Sequence, residues 1–395
     1  MKSGMNAIVG QSGGPTAAIN ATLAGVIRGC HGKFSHLYGM KSGMEGLLCE
    51  ELVCLDYLFG NERELDLLSR TPSSVLGSCR QRLPSQFDSP VYERLFKILE
   101  KHSIDCFFYI GGNDSMDTVD KLSRYAKAKG VDVSFIGVPK TIDNDLVLTD
   151  HTPGYGSCAK YIATTVAELY RDVSVYRIPC VTIVEVMGRD AGWLGCACAL
   201  PSFKGGGCGL VYLPESGFSL DTMLSDAEDF LSKSNTLLLG ISEGACPTRH
   251  GLEDSFGHRR VSGGGKVLED AIAKHLGCKA RAVELNITQR CASHLLSLTD
   301  IKESLLIGEK AVQLALDGHN GVMATFERSV GEYGVRVSYA DASQVANRVK
   351  SVPREFIDTK NRFITDKCVE YISPLILGEI SSEYNEGIPH YFNLG

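Results

Sequence analysis

The chain has 395 residues, of which 44% are hydrophobic and 22% are charged, so it can fill two or three cores and lacks the composition of a disordered protein. Lys and Arg number 40 against 47 Asp and Glu, which gives a formal net charge of −7. This balance argues against a nucleic-acid binder, but it leaves room for a few arginines that hold a phosphorylated small molecule.

Short apolar runs alternate along the chain with segments of helical periodicity, a pattern typical of α/β folds with parallel sheets. Strands are predicted at residues 7–10, 106–111, 133–138, 180–187, 209–213, 236–242, 282–287 and 321–326. Helices are predicted at residues 15–29, 91–102, 117–129, 155–173, 220–232, 265–276 and 301–317. The strands are continuous runs of Val, Ile, Leu and Phe, which indicates helices on both faces of the sheet.

Four junctions that follow predicted strands carry chemistry, and ligands of open α/β sheets bind at such strand ends. The first, at residues 11–16, contains Gly13 and Gly14, which would let backbone N–H groups approach an anion at a helix N-terminus. A tight strand-to-helix turn is the alternative explanation of these glycines. The second junction joins two glycines to Asn113 and Asp114, which indicate either a helix cap or a contact to metal or phosphate.

The third junction, at residues 139–145, carries two carboxylates two residues apart, Asp143 and Asp145, beside a lysine and a threonine. This set suits a general base and a Mg²⁺ ligand in phosphoryl transfer, and a turn rich in Asp and Asn is the alternative. The fourth junction directs Arg189 toward the same edge of the sheet. Together the two junctions predict a phosphoryl-transfer site.

Two other glycine motifs fail their context. Residues 154–159 fit a dinucleotide-binding fingerprint, but they follow a polar segment instead of a strand. Residues 263–266 resemble half of a phosphate-binding Walker loop, but Val267 stands where Ser or Thr should bind magnesium. We therefore assign neither segment to a nucleotide.

The 14 cysteines are scattered singly, apart from Cys196 and Cys198. The N-terminus lacks the apolar region of a signal peptide, and no apolar run of 18 residues occurs. We therefore expect reduced, mostly buried thiols in a cytoplasmic protein without a membrane partner. A zinc site formed by the two paired cysteines and a histidine is the alternative.

Taken in order, the four junctions resemble those of the phosphofructokinase family over residues 7–326. The most specific segments are Pro-Lys-Thr-Ile-Asp-Asn-Asp at 139–145 and Glu-Val-Met-Gly-Arg at 185–189. The resemblance implies an α/β fold of two similar lobes, each with a mostly parallel sheet covered by helices on both faces.

The expected donor lobe spans residues 1–145, and the chain returns to it at about 265–318. The expected sugar-phosphate lobe spans residues 146–264 and 319–395. Its last part, residues 371–395, shows little periodicity and receives no predicted role.

The resemblance also implies an activity, phosphoryl transfer to the C1 hydroxyl of fructose 6-phosphate with Mg²⁺. Asp143 matches the family's general base, and Thr141 and Arg189 match groups that hold the transferred phosphoryl group. The residues expected to contact the donor phosphates are Gly13, Gly14 and Arg80, and those expected to hold magnesium are Asn113 and Asp145. The residues expected to contact the sugar phosphate are Thr141, Ile142, Asp143, Met187, Gly188, Arg189, Glu243, Arg281 and Arg290.

The chain departs from the family pattern at several of these places. Asn113 stands where the family usually has an aspartate that binds Mg²⁺, so more of the metal binding is expected from Asp145. Ile287 replaces the usual His or Tyr of the sugar site, and Asn286 replaces a glycine. Cys180 stands where bacterial ATP enzymes place an intersubunit arginine, whereas Arg281 matches a second one. A homodimer or a higher homo-oligomer is therefore expected.

The phosphoryl donor is predicted from Asp114 and Lys140. ATP-dependent relatives carry glycine at the first position and usually at the second, where small residues leave room for the α-phosphate of ATP. Two unit charges about 4 Å apart repel by roughly 4 kcal/mol at an effective dielectric constant of about 20, so Asp114 would disfavour ATP. Lys140 would supply a compensating charge to pyrophosphate. The predicted enzyme is therefore a reversible pyrophosphate-dependent phosphofructokinase.

Two alternatives come from other classes. One is an ATP-dependent 6-phosphofructokinase that tolerates Asp114, and the other is a catalytically silent subunit that binds sugar phosphate. The complete set of Asp143, Asp145, Thr141 and Arg189 speaks against the silent subunit, because a binding protein needs no general base.

Overall fold

The computed structural model describes residues 4–246 and 263–394. Most of its strands belong to two sheets. The strands of the larger sheet are β1 (Asn6–Gln11), β2 (His36–Met40), β3 (Leu52–Cys54), β4 (Ile104–Gly111), β5 (Ser134–Pro139), β10 (Val322–Arg328) and β11 (Val335–Asp341). Those of the smaller sheet are β6 (Cys180–Val186), β7 (Leu210–Tyr212), β8 (Thr236–Ser242) and β9 (Lys279–Glu284).

The larger sheet has the order β11-β10-β5-β4-β1-β2-β3, and its five central strands are parallel. The two outer strands, β11 and β3, pair antiparallel to their neighbours. The smaller sheet has the order β7-β8-β6-β9 and is parallel throughout. The expected α/β architecture with mostly parallel sheets is therefore confirmed.

The helices of the described residues are α1 (Ile19–Cys30), α2 (Gly43–Leu48), α3 (Glu62–Arg70), α4 (Pro90–Lys101), α5 (Asn113–Lys129), α6 (Tyr155–Val173), α7 (Trp193–Ala199), α8 (Leu220–Leu231), α9 (Gly264–Leu276), α10 (Leu298–Leu316), α11 (Ala342–Val345) and α12 (Asp366–Ile372). Successive strand residues point to opposite faces: Val9 of β1 lies in a core with α1 and α10, and Ile8 lies in a core with α4 and α5. Two further cores lie on the smaller sheet. Burial of both sheet faces explains the unbroken apolar runs.

One expected boundary disagrees with the strand pairing. Residues 319–395 were assigned to the sugar-phosphate lobe, yet β10 and β11 extend the larger sheet, where Val322 of β10 aligns with Ile136 of β5. An apolar strand fits either sheet by composition. Here α10 packs on β5, and the strand that follows it joins the same sheet.

The C-terminal segment, which the sequence left without a role, is built of short elements. Helix α12 is followed by a 3₁₀ turn at Ser373–Ile376 and by the small hairpin β14 (Tyr384–Asn385) and β15 (Ile388–Pro389). The remaining short strands, β12 (Ile357–Asp358) and β13 (Phe363–Ile364), precede the helix. This segment contacts both halves of the molecule, because Ile372 is buried in the core with α6 and α7 whereas Phe392 is buried in the core with α1.

The cysteines match the expectation of buried thiols. Ten of the 14 are buried and all are free, and both Cys196 and Cys198 are fully enclosed in a core. Neither belongs to a group of three metal-ligating side chains within residues 4–246 and 263–394, so nothing there favours the zinc alternative. None of the helices in these residues combines the length and apolar composition needed to cross a lipid bilayer.

Candidate active site

The strand ends of both sheets converge on one cleft of about 1080 Å³. Strands β1, β4 and β5 open into it from the larger sheet, and β6 and β8 open into it from the smaller sheet. The predicted site residues that line it are Gly13, Gly14, Arg80, Asn113, Asp114, Lys140, Thr141, Ile142, Asp143, Asp145, Met187, Arg189, Glu243 and Arg290. The chain thus brings together residues that are up to 277 positions apart (290 − 13).

Two predicted residues lie outside the lining of this cleft. Gly188 has a φ of 116° and its carbonyl accepts a hydrogen bond from the N–H of Gly244 (3.2 Å), so it shapes the turn that presents Arg189. Arg281 is exposed on β9, the edge strand of the smaller sheet. An edge position leaves Arg281 available to a second subunit, and its role stays a prediction.

The first glycine loop differs from the expected geometry. Gly13 and Gly14 were expected at a helix N-terminus, but α1 begins only at Ile19, so the helix does not present its first N–H groups to this loop. The glycines instead lie beside cations, and only Gly14 is in a tight position. A side chain built on Gly13 would start 3.5 Å from the Lys140 Nζ, and one on Gly14 would start 3.1 Å from a guanidinium nitrogen of Arg290.

The second junction does have a helix N-terminus. Helix α5 begins at Asn113, four residues earlier than predicted, and places Asp114 in its first turn. No side chain within the described part of the chain caps this helix, and the Asp114 carboxylate pairs with the guanidinium of Arg82 at 2.9 Å. Arg82 lies two positions after Arg80 in the same loop and also lines the cleft. Arg82 was not among the predicted site residues, although a second arginine beside Arg80 was a visible signal in the sequence.

Lys140 is the most deeply buried cation of the cleft. It is 2% exposed, and its ammonium donates hydrogen bonds to the carbonyls of Ser12 (2.8 Å) and Gly14 (2.6 Å). Burial lowers the pKa of Lys140 to about 7, with Arg290 and Arg80 adding repulsion and Asp143 opposing the shift. This lysine is therefore poised to gain a proton when an anion enters the cleft.

Two carboxylates face this lysine from the same loop. Burial raises the pKa of Asp143, while the charge of Arg189 opposes that change. The hydroxyl of Thr141 accepts a hydrogen bond from the N–H of Asp143 (3.1 Å) and lies 3.4 Å from its carboxylate. Burial raises the pKa of Asp145 to about 7, and the charge of Asp143 adds to that rise. Such a carboxylate can accept a proton near neutral pH.

Oxygen atoms suited to a magnesium ion lie in the same cleft. The side chain of Asn113 donates a hydrogen bond to the carbonyl of Arg348 (2.5 Å), which directs its amide. Its own carbonyl oxygen is buried and has no partner among the residues that the structure describes. An unpaired buried oxygen is costly unless it receives a donor or a cation. Burial and the charge of Asp143 disfavour the ionised form of Asp145, and a bound cation would favour it. The oxygen ligands of Asn113 and Asp145 therefore fit a hard divalent cation.

One end of the cleft holds arginines and a glutamate. Arg189 pairs with Glu243 at 3.6 Å, and burial raises the pKa of Glu243 to about 7. Burial and the nearby charge of Arg80 lower the pKa of Arg290, which shows that cations are crowded there in the absence of a bound anion. Ile287 is 56% exposed at the rim. A phosphate would relieve the repulsion between the arginines.

The chain is similar to proteins of one known family. The family model described as Phosphofructokinase matches residues 6–315. A protein of Halomonas elongata named pyrophosphate–fructose 6-phosphate 1-phosphotransferase is 38% identical over 97% of this chain and 94% of its own length. A Xanthomonas campestris protein of the same name is 37% identical over 98% and 96%. The crystal structure of a pyrophosphate-dependent phosphofructokinase from Nitrosospira multiformis superimposes with a TM-score of 0.88 at 37% identity, covering 98% and 96%.

Proposed function

The chain belongs to the phosphofructokinase family, and from that premise we propose that it transfers a phosphoryl group from pyrophosphate to the C1 hydroxyl of fructose 6-phosphate. The products are fructose 1,6-bisphosphate and phosphate, and the reaction runs in both directions. The ATP-dependent alternative is not favoured, because the relatives matched over nearly their full length are named for pyrophosphate.

The observation that carries this proposal is the arrangement of charge around the third junction. Lys140 lies buried at the donor side and Asp143 lies beside it, with Arg189 facing that carboxylate. Phosphoryl transfer needs a base for the attacking hydroxyl and positive charge around the transferred group. The loop after β5 supplies Asp143 and Lys140, and the turn after β6 supplies Arg189.

In the proposed reaction, Asp143 accepts the proton of the C1 hydroxyl as that oxygen attacks phosphorus. Thr141 and Arg189 hold the transferred phosphoryl group, and Arg80 and the Gly13–Gly14 loop contact the donor phosphates. Entry of the anionic donor favours the protonated form of Lys140, whose pKa of about 7 leaves it partly neutral beforehand. The ammonium then balances the charge that develops on the leaving phosphate.

The sugar phosphate is held at the other end of the cleft. Arg290 binds the 6-phosphate through charge-assisted hydrogen bonds, and Glu243 accepts hydrogen bonds from the sugar hydroxyls. Ile142, Met187 and the turn at Gly188 complete the wall beside the sugar. Burial raises the pKa of Glu243 to about 7, so this carboxyl group is partly protonated near neutral pH. Hydrogen bonds donated by the sugar hydroxyls favour its ionised form.

A magnesium ion would be held by the side-chain oxygens of Asn113 and Asp145. When bound, it would neutralise charge on the pyrophosphate oxygens and so make the phosphorus easier to attack. The buried, unpartnered oxygen of Asn113 supports this assignment.

We further propose a homodimer or a higher homo-oligomer in which Arg281 reaches the acceptor end of a neighbouring subunit's cleft. Its exposure on an edge strand supports this placement. The native mass of the protein tests it, and a monomer that turns over at full rate would contradict it. We place the enzyme in the cytoplasm, where its 14 free thiols stay reduced.

The decisive experiment is an assay of the purified chain with fructose 6-phosphate, Mg²⁺ and either pyrophosphate or ATP, with fructose 1,6-bisphosphate as the measured product. We expect turnover with pyrophosphate and none with ATP. Turnover with ATP alone would overturn the donor assignment, and absence of turnover with both donors would favour the silent subunit. The Asp143→Ala variant serves as the background control.

A further inference from the structure

The loop between β5 and α6 carries the residues proposed to act on substrate, yet its own backbone does not form a regular element. Asn144, which separates Asp143 from Asp145, is fully buried and has a φ of 53°. Leu148 in the same loop has a φ of 64°. Left-handed conformations at non-glycine residues persist when the surroundings hold them. The question is which residues hold this loop.

Tyr371 of α12 contacts the loop at two positions, Asn144 and Asp150. Its hydroxyl donates a hydrogen bond to the carbonyl of Asp150 (2.6 Å) and accepts one from the side-chain amide of Asn144 (2.9 Å). The ring is fixed from both sides, since it packs 5.2 Å from the ring of Trp193 and lies 4.5 Å from the guanidinium of Arg328. The hydroxyl therefore has a defined position from which it ties Asn144 to Asp150.

Lys350 makes a second set of contacts to the same loop. Its ammonium donates to the carbonyls of Thr149 (3.2 Å) and Asp150 (2.8 Å), and it lies 3.4 Å from the side-chain oxygen of Asn144. Its backbone N–H donates to the carbonyl of Asp145 (2.7 Å). Lys350 and Tyr371 thus satisfy both ends of the Asn144 side chain.

We infer that Tyr371, assisted by Lys350, is a positioning residue that orients Asp143 and Asp145 by fixing Asn144 between them. Neither residue lines the cleft, so each acts through the loop. The inference rests on the proposed function, because it assigns the loop a catalytic base. It also gives a role to the C-terminal segment.

The physical reason is the geometric demand of proton transfer. A base must lie within hydrogen-bond reach of the proton that it accepts, and a displacement of about 1 Å can cost on the order of 100-fold in rate. Loss of the Tyr371 hydroxyl leaves the buried amide of Asn144 without its partner, which favours rearrangement of the loop. Substrate-binding groups on other elements, such as Arg290, stay in place.

The first test is Tyr371→Phe, which keeps the ring and removes only the hydroxyl. We expect kcat with pyrophosphate to fall about 10-fold, with the KM values of both substrates within about twofold of wild type. The matched control is Tyr212→Phe. Tyr212 is also buried, but its hydroxyl donates to Asp226 of α8 (2.8 Å) and not to the loop, so kcat should stay within about twofold. Equal losses in the two variants would overturn the inference.

The second test asks whether Tyr371 acts through Asn144. Asn144→Gly permits the same left-handed backbone and removes the amide, so adding Tyr371→Phe to it should lower kcat by less than twofold further. If the losses of kcat in the two single variants multiply in the double variant, Tyr371 does not act through Asn144. Lys350→Met removes the three contacts that the ammonium makes to oxygen atoms of the loop, so it should lower kcat more than Tyr371→Phe does.

A third measurement separates this inference from the proposed function. Backbone hydrogen exchange in peptides covering residues 141–150 should be about 10-fold faster in Tyr371→Phe than in wild type and unchanged in Tyr212→Phe. Unchanged exchange in Tyr371→Phe would overturn the positioning role. The hydrogen exchange can change as expected while the wild-type chain shows no turnover with pyrophosphate. In that case the proposed function fails, but Tyr371 still holds the loop in position.

Discussion

Pairs of oppositely charged side chains lie both at the centre of the cleft and at its rim, but the two places differ in their exposure to water. At the centre, Lys140 is 2% exposed and has a pKa of about 7 near Asp143. At the rim, the side chains of Arg82 and Asp114 are 59% and 43% exposed and form an ion pair at 2.9 Å. Water screens the rim pair, whereas burial shifts the pKa values of the central groups. We therefore expect chemistry to depend on the centre, and donor choice to depend on the rim together with Lys140 of the centre.

The largest effect is expected at the centre from Asp143→Ala, which removes the general base. Its kcat should fall by about 10²–10⁴, with little change in the KM for pyrophosphate. Asp190→Ala is the control, because Asp190 is an exposed carboxylate that lines the same cleft. A variant at Asp143 that keeps more than a tenth of the wild-type kcat would mean that another group accepts the proton.

Exchange of the donor should require both regions. Asp114→Gly with Lys140→Gly removes the negative charge at the rim and the cation at the centre, and we expect measurable ATP turnover and a loss of about 100-fold in kcat/KM for pyrophosphate. Asp114→Gly alone should have a smaller effect, because Arg82 already neutralises that carboxylate. A double variant with full pyrophosphate activity and no ATP turnover would place the determinant of donor choice elsewhere.

Arg290 is partly buried beside the central groups, and we propose that it binds the 6-phosphate of the sugar. Arg290→Ala should raise the KM for fructose 6-phosphate by about 10–100-fold, because a charge-assisted contact to phosphate is lost. The KM for pyrophosphate, measured on the same preparation, is the internal control. A rise in the donor KM instead would reassign Arg290 to the donor side.

Removal of the rim cation alone should have a modest effect. Arg82→Ala is expected to raise the KM for pyrophosphate by about three- to tenfold, and the effect should shrink at high salt because exposed charges are screened. Arg124→Ala, which breaks an exposed ion pair with Asp120 outside the cleft, should leave both KM values unchanged. A fall in kcat as large as that of Asp143→Ala would show that the rim takes part in chemistry.

The smallest effect is a change of stability with pH. The pKa of Asp145 is raised from 3.8 to about 7, so the folded protein binds this proton more tightly than the unfolded chain. Stability from this group is present below about pH 4 and is lost as the pH rises through 7. Asp145→Asn should therefore raise Tm by about 2–5 °C at pH 8, with a smaller gain toward pH 5. Asp88→Asn, which changes an exposed side chain outside the cleft, should show no such dependence.

Magnesium sharpens that measurement. If Asp145 holds the ion, Mg²⁺ should raise the Tm of the wild-type protein at pH 8 more than that of Asp145→Asn. Equal shifts in the two proteins would move the metal site away from this carboxylate. Asn113→Ala should also weaken the Mg²⁺ effect, because it removes the buried oxygen that has no other partner.

Much of the fold could be predicted because it depends on patterns read along the chain. Helix α6 and strand β8 have the predicted bounds, since a long amphipathic segment and a short apolar run are each unambiguous over their own length. The start of α1 was placed four residues too early, because Pro15 suits a first helical turn but the chain stays irregular until Ile19. Local signals thus identified the elements better than their ends.

By itself, the sequence determined the seven longest helices, most strands of the two sheets, the order of the four junctions and the residue types that meet in the cleft, because these depend on neighbours along the chain. Only the tertiary structure decided that β10 and β11 extend the larger sheet, that Arg82 pairs with Asp114, and that Lys140 is buried with a pKa of about 7. The tie between Tyr371 and Asn144 joins residues 227 positions apart. Such contacts are set by how the halves of the molecule pack together, and burial, which shifts each pKa, arises from that packing alone.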